Sequence, residues 1–291
     1  MPDSRIPEDP VAELLQVLNL KDSGDNSFQG TTQWMPGGRV FGGQVLAQSL
    51  VAASATVDED RRVHSLHSYF LRPGALDVPI DFEVDILRDG RSFSARRVQA
   101  SQEGKVIFSM IASFQVPTDG VEHADKMPTD VSEPETLPSA KDSLGNFDHP
   151  VARYWANARP FDLRHEAESV YLKPAANKSN EQAVWFRPVS ELKIDGSLAQ
   201  AALAYASDYT ILESIMRAHG LSWAHPGLKS ASLDHAMWFH AEPDFSDWML
   251  YVQRSPAAQS SRGLATGQIF NRNGVLVASV AQEGMMRIPA I

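Results

Sequence analysis

The chain has 291 residues, 43% hydrophobic and 21% charged, a balance suited to a globular protein with one large or two medium cores. Its net charge of −10 argues against nucleic acid or an anionic membrane as a partner, since both demand a surplus of Lys and Arg. Cysteine is absent, which excludes disulfides, a thiolate nucleophile and any cysteine-ligated metal or iron–sulfur centre.

Met1-Pro2-Asp3-Ser4 leads into polar, acidic sequence rather than a basic and apolar leader, and no run approaches the length of a membrane span. Ile288-Pro289-Ala290-Ile291 is not a Ser-Lys-Leu-type peroxisomal address, so the expected compartment is the cytoplasm. Asp9-Pro10 predicts a cap and first helical residue, and Val11, Leu14, Leu15 and Leu18 share one face of a helix over 10–19. Gly42-Gly43 opens a second, alanine-rich helix over 42–55, apolar at Val45, Leu46, Leu50 and Val51, as suits a helix buried by a sheet. Ile80, Phe82, Val84 and Ile86 alternate with acids, the pattern of a half-buried strand. A turn at Arg88-Asp89-Gly90 follows, then a hairpin of Ser92–Ala100 and Val106–Val116 around Gln102-Glu103-Gly104. Residues 117–155 hold five prolines among acids and serines and predict a linker with little regular structure.

The second half predicts strands at Ala183–Phe186, Ser230–Phe239 and Trp248–Val252, an apolar helical stretch over 197–218, and a hairpin of Leu264–Phe270 and Val275–Gln282 closed by Asn273-Gly274. It restates the first half. Gly43, His67 and Gly104 have their counterparts at Asp208, His235 and Gly274, at separations of 165, 168 and 170 residues. A period that long means two related domains, assigned to 10–116 and 156–291. A central helix within an antiparallel sheet, given twice, is an α+β double-hotdog plan whose sheets join edge to edge.

The common catalytic motifs are missing. Gly90-Arg91-Ser92-Phe93-Ser94 misses the nucleophile elbow, and His165-Glu166-Ala167-Glu168-Ser169 has Ser where a zinc-binding helix needs its second His. Asp234-His235 is a tempting dyad, but neighbours on a strand face opposite ways, so structural roles are the better reading. Three polar groups in apolar settings remain: Asp208, Ser232 and Gln282. Each also has a bland reading: a helix cap, an ordinary strand serine, a buried hydrogen-bonding amide.

At these positions the chain resembles the type II acyl-CoA thioesterases. The resemblance rests on Val40-Phe41-Gly42-Gly43-Gln44, on His64 to Gly74, on Leu87 to Phe93, on Tyr205-Ala206-Ser207-Asp208, on Leu233 to His240 and on Gly274 to Ser279, in order from about residue 10 to 287. It implies a double hotdog that hydrolyses fatty acyl-CoA to free acid and coenzyme A, with no cofactor and no metal. It implies that Asp208, Ser232 and Gln282 hold and activate the attacking water, without a covalent acyl-enzyme; bacterial members often carry Thr where this chain has Ser232. A histidine of the family's His-Ser-x-His motif, here His64, is a further catalytic candidate, aligned with Ser232 of the other repeat.

The chemistry is compatible. A thiol near pKa 8.5 leaves with little protonation, so water suffices as nucleophile. Backbone N–H groups near Gly42-Gly43, or beside Asp208, are candidates for an oxyanion site. Arg72, Arg96 and Arg97 are candidates for the coenzyme A phosphates or, alternatively, surface charges. An oligomer of double-hotdog protomers is expected. Two rival functions stay open: an enoyl-CoA hydratase on the same fold, and a non-catalytic acyl-CoA-binding protein.

Overall fold

The computed structural model describes residues 6–288; residues 1–5 and 289–291, with most of the two terminal tetrapeptides read above, lie outside it. Asp9 caps α1 (Pro10–Leu18), its carboxylate accepting from the N–H groups of Val11 at 2.9 Å and Ala12 at 3.2 Å. β1 (Lys21–Gly24) and β2 (Ser27–Gly30) form a short hairpin; β1 is exposed throughout and has no apolar alternation to mark it in the sequence. α2 (Gly42–Ser54) follows, with Gln44 through Leu50 entirely buried. Around it lie β3 (Arg62–Phe70), β4 (Ile80–Asp89), β5 (Phe93–Gln102) and β6 (Lys105–Gln115). Ile80, Phe82 and Val84 face the core as their alternation predicts. Ile86 continues that row opposite Arg96 but is 51% exposed, and β4 slips register against β5 just beyond it, between Ile86 and Arg88.

The stretch 117–155 is more ordered than expected. It carries α3 (Ala140–Leu144) and the start of α4 (Pro150–Asn157), which overruns the expected domain boundary by two residues. It also binds the second repeat. The indole N–H of Trp185 donates to the Ser132 carbonyl at 3.0 Å, and that of Trp248 to Glu135 at 3.1 Å. Arg272 holds Glu133 at 2.6 Å and Glu135 at 2.8 Å. Proline and acid content predicted a loose crossover; the partners of those acids lie over 100 residues away and leave no local trace.

The second repeat comprises β7 (Phe161–His165), β8 (Glu181–Pro188), α5 (Gly196–Ser207), α6 (Glu213–His219), β9 (Lys229–Ser232), β10 (Asp234–Phe239), β11 (Met249–Gln259), β12 (Arg262–Asn271) and β13 (Leu276–Arg287). Two expected elements are each broken in two. The helical stretch 197–218 stops at Ser207 and resumes at Glu213, with Asp208 closing α5. The strand 230–239 breaks at Leu233, whose N–H donates to Glu283 and whose carbonyl accepts from the Phe70 N–H, both at 2.9 Å.

All strands join in one antiparallel sheet of 13, ordered β1-β2-β4-β5-β6-β3-β10-β13-β12-β11-β8-β7, with β9 on β13. The repeats meet at β3 and β10, where Ser68 stands opposite His235 and Leu66 opposite Met237. The sheet curls around α2 and α5, which pack together in a core of alanines and larger apolar residues from both repeats. This is the double-hotdog plan. Among the described residues no helix is long and apolar enough to cross a membrane.

Arg96 is part of this framework. The alternation of β5 turns it inward, 2% exposed, where Nε donates to Thr56 Oγ1 at 2.9 Å and Nη2 to the Thr56 carbonyl at 2.8 Å. Nη2 also lies 2.8 Å from Asp89. Its donors tie β5 to the end of α2, so it is not free for a phosphate. Arg96→Met should lower the urea-unfolding free energy by about 2 kcal/mol, because it removes the hydrogen bonds of a buried guanidinium to Thr56 and Asp89; an unchanged midpoint would contradict this role.

Candidate active site

α2 begins without a side-chain cap, since Phe41 at the N-cap position has no oxygen to offer. The cap comes from the other repeat. Asp208, at the carboxyl end of α5, brings its carboxylate to the first turn of α2, where the Gly43 N–H is hydrogen-bonded to it. Only glycine permits this approach. A Cβ on Gly42 would lie 2.7 Å from Asp208 Oδ2, and one on Gly43 would lie 2.5 Å from the Tyr205 carbonyl. The positive end of the α2 dipole therefore faces a carboxylate, and the negative end of α5 lies beside it.

The break at Leu233 brings Ser232 to the same point. Gln282 on β13 donates from Nε2 to Asp208 Oδ1 and to Ser232 Oγ, both at 2.9 Å, and Ser232 Oγ donates to Asp208 Oδ1 at 3.3 Å. The three residues singled out in the sequence thus converge. Their exposure differs. Asp208 and Ser232 line a cavity of about 470 Å³, whereas Gln282 is fully buried behind them. Both amide protons of Gln282 are spent on its two neighbours, so it orients them and does not itself reach the cavity.

The carboxylate acceptors force the amide nitrogen of Gln282 toward Asp208, which turns Oε1 toward His235 Nδ1, and the two are hydrogen-bonded. Nδ1 therefore carries the proton. His235 Nε2 lies 3.1 Å from Ser207 Oγ, so both ring nitrogens are engaged. Burial pushes the imidazole down to about 4, so it is neutral near pH 7. Asp234, on the opposite face, accepts from the Glu283 N–H at 2.7 Å, the structural role expected of it. Sequence reasoning missed that His235 steadies the site. The signal was available: His235, Met237 and Phe239 form one alternating row, and all three are buried.

His64 is not at this site. Phe70 lines the cavity, and His64 lies six residues back along β3, ~20 Å of extended chain away. Its Nε2 is 2.8 Å from Ser113 Oγ, and its ring meets Phe93 edge-on. The alignment that paired it with Ser232 also pairs His67 with His235, yet His67 is exposed and His235 buried. A bulge in β3 at Val63–Ser65 and the break at Leu233 disturb the alternation between the repeats. Arg97 points outward and pairs with Asp85 at 2.6 Å, away from the cavity. Arg72 does line it, as do Gly42 and an arginine not anticipated, Arg39. His165, the near-zincin residue, spends Nε2 on Glu213 at 2.8 Å.

Asp208 carries the electrostatic consequence. Burial raises its carboxyl to about 6, against the opposing pull of Gln282, the Gly43 N–H and Ser232. Fold and cavity together define a double-hotdog protein with a carboxyl-lined cavity where its repeats meet. Residues 31–115 match the family described as acyl-CoA thioesterase N-terminal domain, and residues 161–285 that described as acyl-CoA thioesterase. The chain is 38% identical to "Acyl-CoA thioesterase 2" of Haemophilus influenzae, over 96% of this chain and 98% of that one. A crystal structure of an acyl-CoA thioesterase II from Mycobacterium marinum superposes with TM-score 0.79 at 41% identity, covering 95% of this chain and 99% of that one. A hot dog fold protein from Alicyclobacillus acidocaldarius has the same TM-score at 20% identity, covering 96% and 99%, and bears on the fold alone. The chain belongs to the acyl-CoA thioesterase family.

A carboxyl raised from 3.8 to about 6 binds its proton more tightly in the native state than in the unfolded one. Its contribution to stability is therefore fully present below pH 4 and lost as pH rises through 6. Asp208→Asn should be more stable than the parent above pH 6, by on the order of 1–3 kcal/mol, with the gap closing below pH 4. Urea unfolding at pH 4 and pH 8 measures it; a gap of the opposite sign at pH 8 would show that the carboxylate is a net stabiliser.

Proposed function

We propose that the chain hydrolyses acyl-CoA thioesters by direct attack of water, with Asp208 as general base. The observation that carries this reading is a carboxyl raised to about 6, on a cavity wall, in a chain of this family. Such a group is ionised at neutral pH yet remains a competent proton acceptor. Water held by Asp208 and the Ser232 hydroxyl gives its proton to Asp208 as its oxygen attacks the thioester carbonyl. The tetrahedral oxyanion collapses, the carbon–sulfur bond breaks, and the leaving sulfur recovers the proton from Asp208. Gln282 and, behind it, His235 act as positioning residues. They keep the Asp208 and Ser232 oxygens aimed without touching substrate.

Gly42 lines the cavity, and its N–H, which has no helical acceptor, is the candidate oxyanion donor beside the Gly43 N–H that Asp208 takes. Val40, Val45, Phe70, Ile107 and Leu212 offer an acyl chain an apolar wall. Arg39 and Arg72, both exposed at the same cavity, suit the coenzyme A phosphates. A hydratase would need a histidine facing substrate, and His235 lies buried behind Gln282 instead. The same reading keeps a cytoplasmic location, testable by fractionation, and an assembly of several protomers. Tyr69, Ile111 and Trp238, 62%, 49% and 37% exposed on the outer sheet face near the junction of the repeats, favour assembly, and light scattering measures it.

For thiol release from octanoyl-CoA, kcat/KM should fall about tenfold per pH unit below pH 6. Asp208→Asn should lower kcat roughly 10²–10⁴-fold and abolish that acid limb. Full activity in this variant would remove Asp208 from the mechanism. His235→Leu should lower kcat roughly tenfold or more while leaving KM near the parent value, because Gln282 loses the donor that fixes its amide. His235→Gln, which keeps an N–H donor, should recover part of the loss. A rise in KM alone would refute the positioning role.

A further inference from the structure

His165 ends β7, is 5% exposed and has no part in the Asp208 site. Its Nε2 lies 2.8 Å from Glu213 Oε2, and Glu213, itself fully buried, takes the Trp223 indole N–H on its other oxygen at 2.9 Å. A carboxylate so placed fixes the ring, with the Nε2 proton pointing at Glu213. Nδ1 has no hydrogen-bond partner among the described residues, and it is not sealed within protein. The ring lines a second cavity, of about 380 Å³, between α3 and the segment that follows β7. That cavity shares no lining residue with the Asp208 cavity.

The polar groups of this second cavity divide into spent and unspent. Ser139 Oγ donates to Asp142 at 2.7 Å, Ser143 Oγ donates to the Ser139 carbonyl at 3.0 Å, and Glu168 accepts the Ala176 N–H at 3.1 Å. His165 Nδ1, the Ser169 hydroxyl and the Lys173 ammonium have no partner among the described residues. Leu144, Phe147, Leu163 and Leu172 make much of the remaining wall apolar, with Phe147 and Leu172 exposed. A space of this size suits an apolar chain of medium length and is too small for coenzyme A. A carboxyl head satisfies Nδ1 wherever the proton sits. Its O–H donates to the neutral ring, or, once that proton has passed to Nδ1, the imidazolium donates to the carboxylate. Ser169 and Lys173 offer donors of the matching kind to an acid's oxygens.

Building on the thioesterase reading above, we propose that this second cavity binds a medium-chain carboxylic acid, the product class of that reaction, with its carboxyl on His165 and apart from the Asp208 site. Glu213 joins the two places, since Trp223, which it holds, lines the Asp208 cavity. The test is calorimetry of octanoate with the full chain, preloaded with the thioether S-octyl-CoA, which occupies the Asp208 cavity and has no thioester to cleave. One octanoate per chain should still bind, roughly tenfold more tightly than 1-octanol of equal length. Ala167→Trp, on the exposed rim, fills the cavity without touching the His165–Glu213 pair and should weaken octanoate roughly tenfold or more. His165→Gln, which keeps an N–H for Glu213, should remove the preference for octanoate over octanol. Loss of all octanoate binding on preloading, binding unaffected by Ala167→Trp, or octanol bound as tightly as octanoate would each overturn the proposal. Should His165→Gln melt far below the parent, Ala167→Trp decides alone. Thiol release from octanoyl-CoA separates the two readings. Octanoate binding that Ala167→Trp weakens, without thiol release from any acyl-CoA, would defeat the thioesterase reading and leave this site standing.

Discussion

The structure turns on one contact between the repeats: the Asp208 carboxylate against the amino terminus of α2. A carboxylate placed among apolar residues is costly, and an uncapped buried helix end is costly too. Brought together, each offsets the other. The approach demands a stretch of α2 with no side chains, which Gly42 and Gly43 supply, and an end to α5 at Ser207, which leaves Asp208 at its C-cap. The offset is incomplete, since the carboxyl still sits near 6. That residual cost leaves Asp208 basic enough to accept a proton and ionised enough to be ready for one.

Behind that contact the site is arranged in depth. Asp208 and Ser232 reach the cavity, Gln282 touches both, His235 touches Gln282, and Ser207 touches His235. Asp208 and Ser232 are half-buried, and Gln282, His235 and Ser207 are wholly enclosed. Such a chain works only if every donor meets an acceptor, and that requirement sets the His235 tautomer. It also separates two kinds of function. The atoms that reach the cavity are few, and the residues that fix their orientation come from different elements, α5, β10 and β13.

Much of this was legible in the sequence where a single period governs. The alternation of β4 and the cap of α1 are local physics, and Asp208, Ser232 and Gln282 stood out as polar groups in apolar settings. Arg96 and His235 were readable too. Each falls on the inward row of its strand, Arg96 with Val98 and Ala100, His235 with Met237 and Phe239. What failed was inference across distance. Nothing local ends a helix at Ser207 amid alanine-rich sequence, nor joins Arg272 to Glu133. The His64 assignment failed for a sharper reason. A bulge and a strand break disturb the alternation between the repeats, and one residue of slip exchanges the two faces of a strand.

The junction of β3 with β10 bears on how the chain is made. Its paired residues, such as Ser68 and His235, are more than 160 positions apart. Contacts of that separation are slow to form, because a long stretch of chain must first be brought back on itself. During synthesis the first repeat emerges complete, with β3 an open edge and α2 still lacking the carboxylate at its start. An open edge is a template for pairing with another copy. The strand that closes this edge, β10, is made more than 160 residues after β3. Until then a nascent chain displays a half-sheet, and its neighbours on the same messenger display the same one.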